Sequence, residues 1–186
     1  MSIYRDAGHC IARVFSIETN DGTAKSGWQM RYVPPGYPEL PPNPPSGLSA
    51  EERLTQDAMT RGMLHRELTR AQWFALVARR SINNAEVVEA INWLSRNAVT
   101  PAHHLFRLKA VTAWVMPKRA NGQASTRSLP DAFYVLHSWD NDGTPEGTLR
   151  RWKCVTDKWL NESYRDAHEA VERLLVDHCL KVGEAA

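Results

Sequence analysis

The chain has 186 residues, 42% hydrophobic and 24% charged, which suits one moderate domain or two small ones sharing a core. No apolar run reaches the ~18 residues of a membrane span and the first ten residues carry no secretory signal, so a soluble protein of the cytoplasm is expected. Net charge is only +2, so any nucleic-acid contact must come from local concentration of base, and the three scattered cysteines (Cys10, Cys154, Cys179) read as reduced thiols.

In chain order, Asp6 to Thr19 places Ala7, Cys10, Ile11, Val14 and Phe15 at helical spacing. A short amphipathic helix is expected there, with Gly8 against it and a strand over Cys10–Ile17 as the competing reading. Seven prolines then fall between Pro34 and Pro45, in VPPGYPELPPNPPSG. That stretch is polyproline-like and closes an N-terminal arm, residues 1–47. Trp28, Tyr32 and Tyr37 favour an arm packed on the protein over a bare spacer.

Residues 48–117 read as a helical bundle. Ser49-Ala-Glu-Glu52 and Thr69-Arg-Ala-Gln72 are capping boxes, in which a hydroxyl and a carboxylate or amide satisfy free N–H groups reciprocally. They open helices through about His65 and along Trp73, Leu76 and Val77. Asn83 or Asn84 caps a third helix carrying Val87, Val88, Ile91, Trp93 and Leu94. Thr100-Pro101 is expected to open a fourth, with Leu105, Leu108, Val111 and Trp114, ending at Pro117. After the polar loop KRANGQAST, residues 128–182 are expected to hold a helix-turn-helix and a terminal helix. A short helix DAFYVLHSW meets the turn DNDG, and Thr144-Pro145 opens a helix to about Leu160. Asn161 or Ser163 is expected to interrupt it before a last helix with Ala167, Val171, Leu174 and Leu175. The fold class is all-α: a multi-helix bundle with a C-terminal helix-turn-helix and a proline-rich arm.

On a 100° wheel the helix after DNDG puts Leu149, Trp152, Val155 and Trp159 on one face, with Thr148 and Thr156 at its edges. Arg150, Arg151, Lys153 and Lys158 lie on the remainder with Glu146 and Asp157, leaving local positive charge. A major groove admits such a helix and is read by residues near its N-terminus. Arg150 has the fork for guanine O6/N7, and Arg151, Lys153 and Lys158 suit phosphates. Glu146 can accept from cytosine N4, and Thr144 can donate to a phosphate. Lys118, Arg119 and Arg127 bracket the polar loop and form a second basic cluster. The plain alternative is an amphipathic helix facing water.

The stretches LTRAQWFALVARRS (68–81), AINWL (90–94), AVTAW (110–114) and GTLRRWK (147–153) resemble small proteins of lambdoid prophages that are similar to the Q-type late-gene antiterminators. The resemblance covers residues 54–180. It implies a transcription regulator that binds double-stranded DNA near a late promoter and engages host RNA polymerase in the bacterial cytoplasm. It makes Thr148, Arg150, Arg151 and Lys153 the DNA-reading candidates. Paired cysteines that hold zinc in some of the wider group have no counterpart here.

No P-loop, G-x-G-x-x-G, G-x-S-x-G or H-E-x-x-H occurs, so neither an enzyme nor a cofactor is expected. Two metal arrangements are open to these residues: His9-Cys10 meeting His178-Cys179 if the termini are neighbours, and Asp140 with Asp142. Cysteine on an apolar stripe and aspartate beside glycine have commoner roles in core and turn. A homodimer through the last helix stays open, as does closure of the core by that helix. The alternative function is a non-enzymatic interaction protein that modulates a host protein.

Overall fold

A computed structural model describes residues 3–17, 48–118 and 129–181. The proline-rich stretch and the loop basics Arg119 and Arg127 lie outside the described residues. Within them the chain is all-α, with six helices and a single β-bridge, Tyr4 to Lys181. No helix among them is long and apolar enough to cross a membrane.

Helix α1 (Ala7–Val14) replaces the competing strand. The Asp6 carboxylate accepts from the His9 N–H at 2.7 Å and starts it, and Ala7, Cys10, Ile11 and Val14 pack inward. Helices α2 (Ala50–Glu67) and α3 (Arg70–Arg80) begin at the two capping boxes, both fully formed. Such caps are each worth about 1 kcal/mol. Helix α4 (Asn84–Asn97) starts where the Asn83 side chain accepts from the Ala85 N–H at 2.9 Å.

Helix α5 (His104–Val115) begins three residues later than Thr100-Pro101 suggested. The Thr100 hydroxyl is taken up in a turn, accepting from the Ala102 N–H at 3.4 Å. His103 is the cap instead, its Nδ1 accepting from the Phe106 N–H at 3.2 Å. A histidine imitates the usual oxygen acceptor here and keeps its second nitrogen for a tertiary contact.

The segment expected as a helix at 131–139 is two 3₁₀ turns, Asp131–Tyr134 and Leu136–Trp139, joined at an extended Val135. Its aromatic residues are placed by tertiary contacts rather than by helical period. Tyr134 Oη donates to the Met116 carbonyl at 2.6 Å, and Trp139 Nε1 donates to the Phe133 carbonyl.

Helix α6 (Glu146–Asp177) has 32 residues and no break at Asn161 or Ser163. At 1.5 Å per residue it is about 48 Å long. Asn and Ser cost a helix interior roughly half a kcal/mol each. The stripe Leu149, Thr156, Leu160, Ser163, Ala167, Val171 and Leu175 buries far more than that along the whole length. Val155, expected on the inner face, is exposed, because the buried stripe runs through Thr156 instead.

The helices enclose two hydrophobic clusters. The larger takes residues from all six helices, among them Ile11, Leu64, Leu76, Leu94, Val111 and Leu160. The smaller gathers Ala102, Phe106, Ala110, Ala113, Trp139 and Leu149, with Phe133, Tyr134, Leu136 and Trp152 packed on it. Helices α5 and α6 lend a face to each. The first and last described residues meet at the larger one, where the Ile3 and Tyr4 N–H groups donate to the Leu180 carbonyl at 2.9 and 3.0 Å.

Candidate nucleic-acid interface

The first turns of α6 rise from a turn that is locked from below. Gly143 takes φ 69°, the left-handed region open to glycine. The Asp140 carboxylate accepts from the Thr144 N–H at 2.7 Å, from the Thr144 hydroxyl at 3.2 Å and from His103 Nε2 at 3.0 Å. Because His103 Nδ1 already accepts from Phe106, Nε2 carries the ring proton and donates. The Thr144 N–H, aided by His103, holds the Asp140 carboxyl below its ordinary range.

Thr144 therefore serves the turn and does not cap α6. The cap position is Pro145, which makes no side-chain cap bond. Behind the first turns, Trp152 meets Phe106 and His103 edge-on, with ring centroids 5.5 and 5.8 Å apart.

The predicted reading residues sort by exposure and partner. Glu146, Arg150, Arg151 and Lys158 are exposed, while Thr148 and Lys153 are half-buried. Arg150 pairs with Glu146 one turn back, and Lys153 pairs with Asp157 one turn on. Lys158 lies 3.9 Å from Glu162. Arg151 enters no ion pair or hydrogen bond among the described residues. Lys118 sits at 3.6 Å from Asp131, so it flanks the 3₁₀ segment rather than α6. Along all of α6, six basic residues face seven acidic ones, so its positive character is confined to the first four turns.

The first and last described residues do meet, but Cys10 is fully buried and no described group of metal-holding residues contains it, Cys179 or their neighbouring histidines. His103, Asp140 and Asp142 offer ligand atoms within 4.8 Å of one another. The first two are already committed to each other and to the backbone that starts α5 and α6, so their hydrogen bonds account for them without an ion.

Sequence reading missed a buried polar network between α1 and α2. Tyr4 Oη donates to Asp57 Oδ1 at 2.7 Å, and the Arg13 guanidinium donates to Asp57 Oδ2 at 2.7 Å. Thr60 lies 3.1 Å from the Tyr4 hydroxyl. Burial raises both the Tyr4 phenol and the Cys10 thiol well above their ordinary ranges, so both stay protonated. The only hint in the sequence was the polar character of α2, which gave no reason to single out Asp57.

Comparison with known protein families, characterised proteins and solved structures finds no match to this chain.

Proposed function

We propose that this protein binds double-stranded DNA as a transcription regulator, with the first turns of α6 as its reading element. The observation that carries the reading is the adjacent pair Arg150 and Arg151, both exposed at the start of a long, well-anchored helix. Arg151 has no ionic partner to give up. The Arg150–Glu146 pair is exposed on both sides and worth at most about 1 kcal/mol, so a guanine edge can replace the carboxylate. Lys153 and Lys158 follow on for phosphates. The arrangement departs from a standard helix-turn-helix in having 3₁₀ turns in place of its first helix; the locked Asp140–Thr144 turn sets the angle of the reading helix instead.

By its sequence resemblance, the regulator is of the late-gene antiterminator type, with host RNA polymerase as its protein partner. The test is a titration against phage late-promoter fragments at two salt concentrations. Wild type is compared with the Arg150→Ala, Arg151→Ala double variant. Site-selective binding that weakens with salt, and is lost in the folded double variant, is expected. Equal and negligible binding by both proteins rejects the reading.

A second reading is favoured by a separate observation. Leu54 and Met59 on α2 are 55% and 65% exposed, and most cations of α6 are already paired. Those features suit an interaction protein that engages a host protein without DNA, which the same titration separates.

A further inference from the structure

Where the end of α3 meets the middle of α6, two arginines and a histidine gather around Tyr164. The Arg79 guanidinium carbon lies over Trp114, 4.1 Å from the ring centroid, and 5.5 Å from that of Tyr164. Arg80 Nε donates to Tyr164 Oη at 2.8 Å. His168 packs against the same tyrosine, ring centroids 4.7 Å apart, and its Nε2 is buried with no hydrogen-bond partner. None of the ion pairs among the described residues includes Arg79, Arg80 or His168.

Two ordinary roles account for part of this. A cation in the last turn of a helix offsets its dipole, and an arginine stem can cover a core tryptophan. Neither role uses the N–H donors of Arg79, the two Nη groups of Arg80 or the imidazole nitrogen. The cluster also works against itself. Burial, with Arg80 adding to it, lowers the pKa of both Arg79 and His168. Asp157 offsets this in part at Arg79, but its carboxylate is paired with Lys153. An arrangement of like charges with unused donors is relieved by an anion that the chain itself does not supply.

We propose that Arg79, Arg80 and His168 form a phosphate-binding site, with Tyr164 and Trp114 as the platform that aims the two guanidiniums. The forks donate to separate oxygens of a tetrahedral group, with the His168 imidazole packed beside them on Tyr164. Trp114 is itself fixed, donating from Nε1 to Asn161 Oδ1 at 2.9 Å. The phosphate comes either from a free phosphate or mononucleotide, or from the phosphodiester backbone of a nucleic acid. The site uses none of the residues assigned to the first turns of α6 and stands apart from that reading.

The test titrates inorganic phosphate into the full-length protein, with chloride at matched ionic strength as control. The arginine Nε–Hε and histidine ring resonances are followed by NMR. Saturable shifts at Arg79, Arg80 and His168, with the His168 pKa moving up, are expected. They should disappear in an Arg79→Gln, Arg80→Gln variant that keeps its helical circular dichroism. If that variant does not fold, Arg80→Lys and His168→Gln serve in its place, each weakening binding severalfold. Shifts that match chloride, or saturable shifts that survive all these substitutions, overturn the proposal. Competition at fixed phosphate then distinguishes the source. Displacement by a short DNA duplex identifies a backbone site, and displacement by a mononucleotide alone identifies a free phosphate. An Arg150→Ala, Arg151→Ala protein should bind phosphate as wild type does.

Discussion

The larger cluster joins six helices that meet along regular apolar stripes, while the smaller one joins one face of α5, two 3₁₀ turns and the start of α6. In the first, period and capping set each element before it packs. In the second, the backbone between Pro130 and Thr144 follows no period, and its path is set by where Tyr134, Trp139 and Asp140 find their partners. The contrast matters for function, because the helix proposed to read DNA starts from the second region and is anchored in the first. An element placed by period tolerates many single changes; one placed by a few hydrogen bonds and rings depends on each of them.

That contrast can be broken from the first side by Asp57→Ala. It removes the shared acceptor of Tyr4 and Arg13 inside the larger cluster, where both partners of the ion pair are nearly inaccessible. Breaking a buried pair leaves an uncompensated charge, so a loss of about 4 kcal/mol is expected in urea unfolding. A loss below about 1 kcal/mol would mean that the network is solvated.

From the second side, Trp139→Ala removes the one large, fully buried ring of the 3₁₀ segment. A cost of about 3 kcal/mol is expected. Hydrogen exchange should rise in 131–145 and the first turns of α6 while α3 and α4 stay protected. Uniform loss of protection would show that the two clusters unfold as one.

Two glycines sharpen the comparison with opposite signs. Gly62 sits in α2 with nothing near the place a Cβ would occupy, and Gly143 holds a positive φ in the turn below α6. Gly62→Ala should stabilise by about 0.5–1 kcal/mol, because only unfolded-state entropy changes. Gly143→Ala should destabilise by about 1–2 kcal/mol, because an alanine resists that backbone. Thermal midpoints moving in the same direction would contradict the assignment of either site.

The smallest effect expected is a slope with pH. Burial, and then Arg13, lowers the pKa of His9 below its ordinary 6.5, and His168 is lowered in the same direction. The folded state therefore binds fewer protons than the unfolded one on this side. Stability is full above about 6.5 and falls as the pH drops through that value toward the folded pKa. His9→Gln should flatten the fall seen between about pH 7 and 5. An unchanged slope would assign it to other groups.

Much of the first region was legible in advance. Both capping boxes, the Asn83 cap and the inward residues Trp73, Leu76, Val87, Ile91 and Leu94 stand where spacing put them. The Asp140–Gly143 turn was legible too, since aspartate and glycine act on their own backbone. The run of cations at the start of α6 was legible, and its pattern of pairs was not. Glu146 and Asp157 are visible one turn from Arg150 and Lys153, yet only the structure has them engaged.

What the sequence by itself determined was local: helix starts, the period of each apolar face and the turn before α6, because hydrogen bonds and side-chain spacing within a few residues decide them. The tertiary structure decided the rest. It set α6 unbroken through Asn161 and Ser163, since burial along its stripe outweighs two weak helix formers. It moved the start of α5 to His103, which gains Asp140 as a partner 37 residues away. It brought Arg79 and Arg80 onto Tyr164, some 84 residues on, where no local rule connects them.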